Sequence, residues 1–283
     1  MSAEEIIKTG NLAETLDALT ANVRKDPSNT KHRIFLFQLF CVLGEWKRAV
    51  TQLKVIGEMD PITLPMVQSY REAIICELVR EKVFIAEKTP MIFGEPEAWV
   101  AGLIQALEPL SRGDTATAAK LREAAFDKAP TSSGTADGEK FEWIADADMR
   151  LGPILEVVVN GNYYWVPFSS IKKLKMEEPV DLRDNVWTPV QITWINGGEV
   201  VGFIPTRYPG APASDNDQVK LAKITEWNDL GDETFIGSGQ RLFATDAGDL
   251  PLMDIREIIF DTEMQIDDPI VDEDEDSAES TNG

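Results

Sequence analysis

The sequence is poor in the residues that build metal and nucleophile sites. It has one histidine, His32, and two cysteines, Cys41 and Cys76, among 283 residues. A zinc site needs three or four His, Cys or carboxylate ligands at short spacing, and none surrounds His32, so no metal and no cofactor is expected. A Ser-His-Asp or Cys-His device would have to recruit that single histidine, which reads as a surface or capping residue beside an expected helix. Both cysteines lie among apolar neighbours on expected helices, where they serve as small buried hydrophobes in a reducing compartment. Cations are scarce too: 27 Lys plus Arg face 49 Asp plus Glu, a net charge of −22. Nucleic acid and anionic membrane surfaces, which are bound by clustered basic side chains, are therefore excluded as partners. No apolar run approaches the ~18–20 residues needed to cross a bilayer. The opening MSAEEIIK lacks the basic and apolar regions of a secretory signal. A cytoplasmic protein without membrane insertion is expected.

What is present is a repeat. Gly10 and Gly44, Leu12 and Trp46, Leu16 and Val50, Leu19 and Leu53, Asp26 and Asp60, and Pro27 and Pro61 are all separated by 34 residues. That period belongs to tetratricopeptide units, pairs of helices that stack into a solenoid. Glycine fits the reversal between paired helices because it takes left-handed backbone at little cost. Proline stops the second helix, having no N–H to donate. The 17-residue interval from Gly10 to Pro27 and from Gly44 to Pro61 recurs from Gly113 to Pro130. LPMVQSYREAIICELVREKVFIAEK lies between them without the glycine and reads as a degenerate unit. Ser2 and Glu5 form a capping box at the start.

The grammar then changes. The helical domain spans residues 1–130 and PTSSGTADG marks a linker, 131–139, by its Pro, Ser and Gly content. A β-rich domain follows over 140–264. ILEVVVNGNYYWVPF and VQITWINGGEVVGFIP each hold Asn-Gly between β-rich runs, the hairpin signal of a type I′ turn. Further strands are expected near 172–177, 219–227, 240–246 and 252–260, giving a small antiparallel barrel or strongly curved sheet. The fold class is thus α+β: a tetratricopeptide-like α-solenoid and a barrel-like β domain. Ten acids and no Lys or Arg stand from Asp261 onward, so 265–283 is expected to be a disordered acidic tail.

Candidate chemistry is thin. Asp146 and Asp148, two apart and followed by Arg150, have the form of an acid–base pair. With no nucleophile, metal or oxyanion hole nearby, the three read instead as a structural polar cluster that caps a helix and ion-pairs. GSGQR, 237–241, lacks the Lys-Ser/Thr of a phosphate loop and reads as a turn between strands. PTRYPG, 205–210, ends a strand and turns at Pro209-Gly210. Trp143, Trp165, Trp187, Trp194 and Trp227 read as core filling. Stacked repeats present a concave face lined by first helices, and the frame set on Gly44 points Lys31, Ile34 and Gln38 into it. Gln68, Arg71 and Glu72 of the degenerate unit join them, as a groove for an amphipathic helix or extended peptide.

The strings FLFQLFCVLGEWKRA, LPMVQSYREAI, FGEPEAW, FEWIADADMRLGP, GNYYWVPF, IPTRYPG, ITEW and GQRLFATD together resemble the ImpE (TagJ or SciE-type) accessory proteins of bacterial type VI secretion, over nearly all the chain but the tail. The resemblance implies a non-enzymatic component that binds the small contractile-sheath subunit, with a proposed connection to the sheath-disassembly ATPase. Joined to the repeat groove, it gives the expectation of an adaptor that binds a helical segment of that subunit there. It supplies no catalytic residues. Two other functions remain open on the sequence: a hydrolase using Asp146 and Asp148, and a chaperone for a secreted effector that uses the same groove.

Overall fold

A computed structural model describes residues 2–94 and 97–262. The acidic segment expected at 265–283 lies outside the described residues. So do Glu95 and Pro96 of FGEPEAW.

Eight α-helices lie among the described residues. They are α1 (Ala3–Thr9), α2 (Leu12–Lys25), α3 (Thr30–Val42), α4 (Trp46–Met59), α5 (Leu64–Phe84), α6 (Ala98–Ser111), α7 (Thr115–Phe126) and the single turn α8 (Asp217–Lys220). The capping box is present: Glu5 N–H donates to Ser2 Oγ at 3.3 Å and Ser2 N–H to Glu5 Oε2 at 2.8 Å. Gly10, Gly44 and Gly113 each sit between paired helices with φ of +84°, +69° and +79°. Leucine and β-branched residues would be strained there. The 64–88 segment departs from the repeat. It is one helix of 21 residues, not a hairpin, because nothing between Pro65 and Phe84 breaks the backbone ladder. α5 buries Val67, Tyr70, Ala73 and Ile74 against α3 and α4, and Cys76, Val83 and Phe84 against the sheet side.

Fourteen strands follow from or border these helices: β1 (Met91–Ile92), β2 (Gly134–Ala136), β3 (Glu139–Phe141), β4 (Ile144–Asp146), β5 (Ile154–Val159), β6 (Asn162–Pro167), β7 (Ile171–Met176), β8 (Trp187–Trp194), β9 (Glu199–Pro205), β10 (Thr225–Asp229), β11 (Phe235–Gly239), β12 (Leu242–Thr245), β13 (Gly248–Pro251) and β14 (Glu257–Phe260). Nine of them form one sheet in the order β1-β6-β5-β9-β8-β7-β14-β2-β3. β1 joins parallel and the other pairings are antiparallel. The sheet stays open, its edges being β1 and β3, so the barrel expected from the strand pattern does not close. A second ribbon pairs β10 with β11, and a third sheet runs β13-β12-β4.

Several local expectations change. The segment read as a linker supplies β2 and the start of β3, paired to β14 and to each other. Gly134 is needed there: a Cβ would lie 2.1 Å from the Ile259 carbonyl oxygen. Asn160-Gly161 makes the expected two-residue turn, both φ positive at +48° and +72°. Asn196-Gly197 sits in a longer loop with only Gly197 left-handed. Half of the 219–227 strand is α8 and turn, and 252–254 is a 3-10 turn before β14. GSGQR is not a turn: its glycines end β11. PTRYPG does end β9 and turn, with Gly210 at φ +86°.

The two halves share cores. Trp187 and Val186 of the sheet half pack with α1–α5, and Trp165, Tyr163 and Val158 pack with α5 and α6. A third core, including Phe168, Phe243, Phe260 and Trp194, packs the nine-stranded sheet against β4 and β12. Of the five tryptophans expected as core, Trp165, Trp187 and Trp194 are buried. Trp143 and Trp227 are about 40% exposed.

Candidate functional site

Glu156 is the one charge in the apolar run ILEVVV, on the interior strand β5 and fully buried. An isolated carboxylate there would be very costly, and the fold answers with two guanidinium groups. Arg80 of α5 holds it bidentately, Nε to Oε1 at 2.7 Å and Nη2 to Oε2 at 2.9 Å. Arg241, just after β11, donates Nη2 to Glu156 and Nη1 to Asp146. Tyr163 O–H also donates to Glu156, and Trp165 Nε1 to the Tyr163 oxygen at 2.7 Å. Burial alone would raise the Glu156 pKa, but Arg80 and Arg241 outweigh it and bring it down to about 2.

Asp146 and Asp148 belong to the same buried system. Asp146 accepts from Arg241, from Tyr208 O–H at 3.0 Å and from the Asp148 N–H at 2.9 Å. Asp148 accepts from Arg150 Nε at 2.8 Å and from the Gly237 N–H at 3.0 Å. Neither caps a helix. They tie the β4–β5 connection to β11, with Arg150 lying 4.6 Å from the Phe84 ring centroid of α5. Burial, opposed by Arg241 and reinforced by Asp148, holds the Asp146 carboxyl above the ordinary range. A carboxylate poised near neutrality is a familiar mark of catalysis, yet Asp146 is 3% and Asp148 0% exposed, and their oxygens already have protein donors. Among the described residues no three His, Cys, Asp or Glu gather as a metal site.

Arg207 extends the system to the helical half. Its Nη1 donates to the Val42 carbonyl at 2.7 Å and to the Lys220 carbonyl at 2.6 Å, and its Nη2 to the Cys41 carbonyl at 3.1 Å. It thereby satisfies the orphan carbonyls at the C-terminus of α3 with a buried cation, the favourable sign for that end of a helix. Arg80 Nη2 donates to the Arg207 carbonyl at 2.8 Å, and Trp187 Nε1 to Glu77 at 3.1 Å. Sequence reading missed Arg80, Glu156, Arg207, Tyr208 and Arg241. The lone glutamate inside ILEVVV was the available signal, since a buried charge must be paired.

The six residues expected in one groove are divided. Lys31, Ile34 and Gln38 line a surface groove of about 530 Å³ with Glu4, Ile7 and Phe35, closed on its other side by the 179–185 loop. Glu72 lines a different cavity of about 460 Å³, against the Asn160-Gly161 turn and β9. Gln68 and Arg71 are exposed on α5. The division follows from α5 being a single helix: without a reversal, its residues do not continue the face begun by α3. His32 is half-buried in the first turn of α3, its N–H donating to Asn29 at 3.2 Å. No helix of the described residues is long and apolar enough to cross a membrane.

The class these features define is an open sheet with a helical layer joined to it by the buried Arg80–Glu156 pair, with grooves at its surface. The family profile described as "ImpE protein" matches residues 138–259. The type VI secretion system accessory component TagJ of Pseudomonas aeruginosa is 49% identical over 261 residues, 92% of each chain. The crystal structure of protein VPA1032 from Vibrio parahaemolyticus superposes with a TM-score of 0.83 at 24% identity, covering 93% of this chain and 98% of that one. The last likeness shows the fold alone. The chain belongs to the ImpE family.

Proposed function

We propose that the protein is a non-enzymatic adaptor of a type VI secretion system, acting in the cytoplasm, which binds a helical segment of the small contractile-sheath subunit. Membership of the family supports the accessory role, because the Pseudomonas relative bears that description over nearly its whole length. The observation that carries the binding mode is the groove of about 530 Å³ beside α3, with half-buried Ile34 and Phe35 on its floor and Lys31 at its edge. Apolar walls with a few polar groups suit the apolar face of an amphipathic helix. Gln68, Arg71 and Glu72 fall outside this groove and have no part in the reading. A connection to the sheath-disassembly ATPase belongs to the same proposal.

Saturation of Asp146 and Asp148 by buried donors supports an adaptor over a hydrolase. The test is affinity capture from cells carrying the secretion cluster, followed by mass spectrometry. Wild-type protein should recover the small sheath subunit, with the ATPase beside it, and Ile34→Asp should lose the subunit. Recovery of a secreted effector in its place would point to a chaperone. Equal recovery by both proteins would reject the groove.

A further inference from the structure

The outer face of the α4–α5 pair carries an apolar strip that none of the described residues covers. Ile75 is 56%, Leu78 44% and Ile85 54% exposed. Positions 75, 78 and 85 fall on one stripe of a helix by their three- and seven-residue spacing. Between this stripe and the first turns of α4 runs a groove of about 610 Å³, lined by Trp46 and Val50 from α4 and by Ile74 and Leu78 from α5. It shares no lining residue with the groove at Ile34.

The charges around the strip include several of the chain's scarcer sign. Arg71 lies one turn before Ile75, Lys82 one turn after Leu78, and Lys47 on the opposite wall. Among the described residues, none of these three has a carboxylate within 4.0 Å. Of the acids nearby, Glu45 pairs with Arg48, while Glu81 accepts from the neutral Trp46 Nε1 at 3.0 Å and keeps its charge. Around this apolar groove Lys47, Arg48, Arg71 and Lys82 stand against Glu45 and Glu81, a local excess of cations in a chain whose net charge is −22. From Arg71 to Ile85, the C-cap of α5, the stripe covers fourteen residue steps, about 21 Å at 1.5 Å per step. Its span equals that of a partner helix of about four turns.

We propose that this face docks an acidic amphipathic helix supplied by another protein chain. Apolar side chains of that helix at i, i+3 or i+4 and i+7 pack on Ile75, Leu78 and Val50. Glutamate or aspartate on its flanks meets Lys47, Arg71 and Lys82. The apolar contact supplies affinity, and the cations set orientation and exclude basic helices.

The test uses the full chain and a labelled designed helix of 16 residues, leucine at the helical spacing and glutamate on both flanks, followed by fluorescence anisotropy. A second peptide carries lysine in place of each glutamate. The glutamate peptide should bind at least about tenfold more tightly than the lysine peptide, and should lose about tenfold in Leu78→Glu and in Arg71→Glu. Both substitutions are at exposed positions, and circular dichroism verifies that the helices persist. Raising salt should weaken the glutamate peptide alone. Equal binding of the two peptides, or binding indifferent to both substitutions, overturns the proposal. A dimer in sedimentation velocity that Leu78→Glu converts to monomer assigns the face to a second copy, and overturns it too. So does binding that appears only after residues 263–283 are removed, which makes the chain's own acidic end the occupant.

Discussion

Arg241 is wholly buried and its guanidinium faces two carboxylates, Asp146 and Glu156, while Nε donates to the Pro205 carbonyl at 2.9 Å. Removing one partner of a buried pair typically costs about 3–5 kcal/mol, because the remaining charge is left without compensation. Arg241→Met should lower unfolding free energy by that amount at neutral pH in denaturant titration. The loss should shrink on acidification, since Asp146 is already held above the ordinary range and takes up a proton as pH falls. Glu156 has the opposite sign. Its folded pKa, about 2, lies below the ordinary value near 4.3, so its ionisation stabilises the fold. That contribution is complete above about pH 4.5 and is lost as pH falls toward 2. Glu156→Gln should flatten the acid limb of stability against pH. Gly44 is a simpler case: φ is +69°, and a Cβ would lie 2.6 Å from Pro212 Cβ. Gly44→Val should lower thermal stability, with backbone strain alone worth about 1–3 kcal/mol. Unchanged melting would mean the α3–α4 reversal has another geometry in solution.

At the scale of elements, the helix reversals were legible because glycine has a direct steric reason to stand at Gly10, Gly44 and Gly113. Asn160-Gly161 was legible for the same reason. What escaped was non-local. PTSSGTADG has the composition of a loop, yet Thr135 and Ala136 find partners more than a hundred residues away, at Ile259 and Ile258 of β14. Composition reports local preference and cannot register such a pairing. The single helix α5 escaped because one repeat frame was extended over a segment without its glycine. Arg207, Arg241 and Glu156 escaped because their partners are distant in the chain. The pairing of β2 with β14 yields a test. Limited proteolysis under native conditions should spare 134–136, since backbone held in a sheet does not enter a protease site without local unfolding. Rapid cleavage there would show that β2 opens readily.

The whole molecule is a helical layer and a curled sheet made inseparable by shared cores and by Arg80 and Arg207. The groove proposed for recognition opens at the surface of that junction, between α3 and the 179–185 segment, and the buried ion pairs do not line it, so a substitution at its lining can alter recognition while the fold persists. Ile34 is suited to that separation: it is half-buried, and it lines the groove of about 530 Å³ while packing only at the edge of the core. Calorimetric titration of a peptide spanning the helical segment of the small sheath subunit, against wild type and Ile34→Asp, tests the central claim most directly. Interfaces of this kind concentrate energy in a few anchors, each worth ~2 kcal/mol or more. Wild type should bind with a measurable heat. Ile34→Asp should show none while keeping wild-type circular dichroism and cooperative unfolding. Undiminished binding by a folded Ile34→Asp protein would contradict the account and move recognition away from the α3 groove.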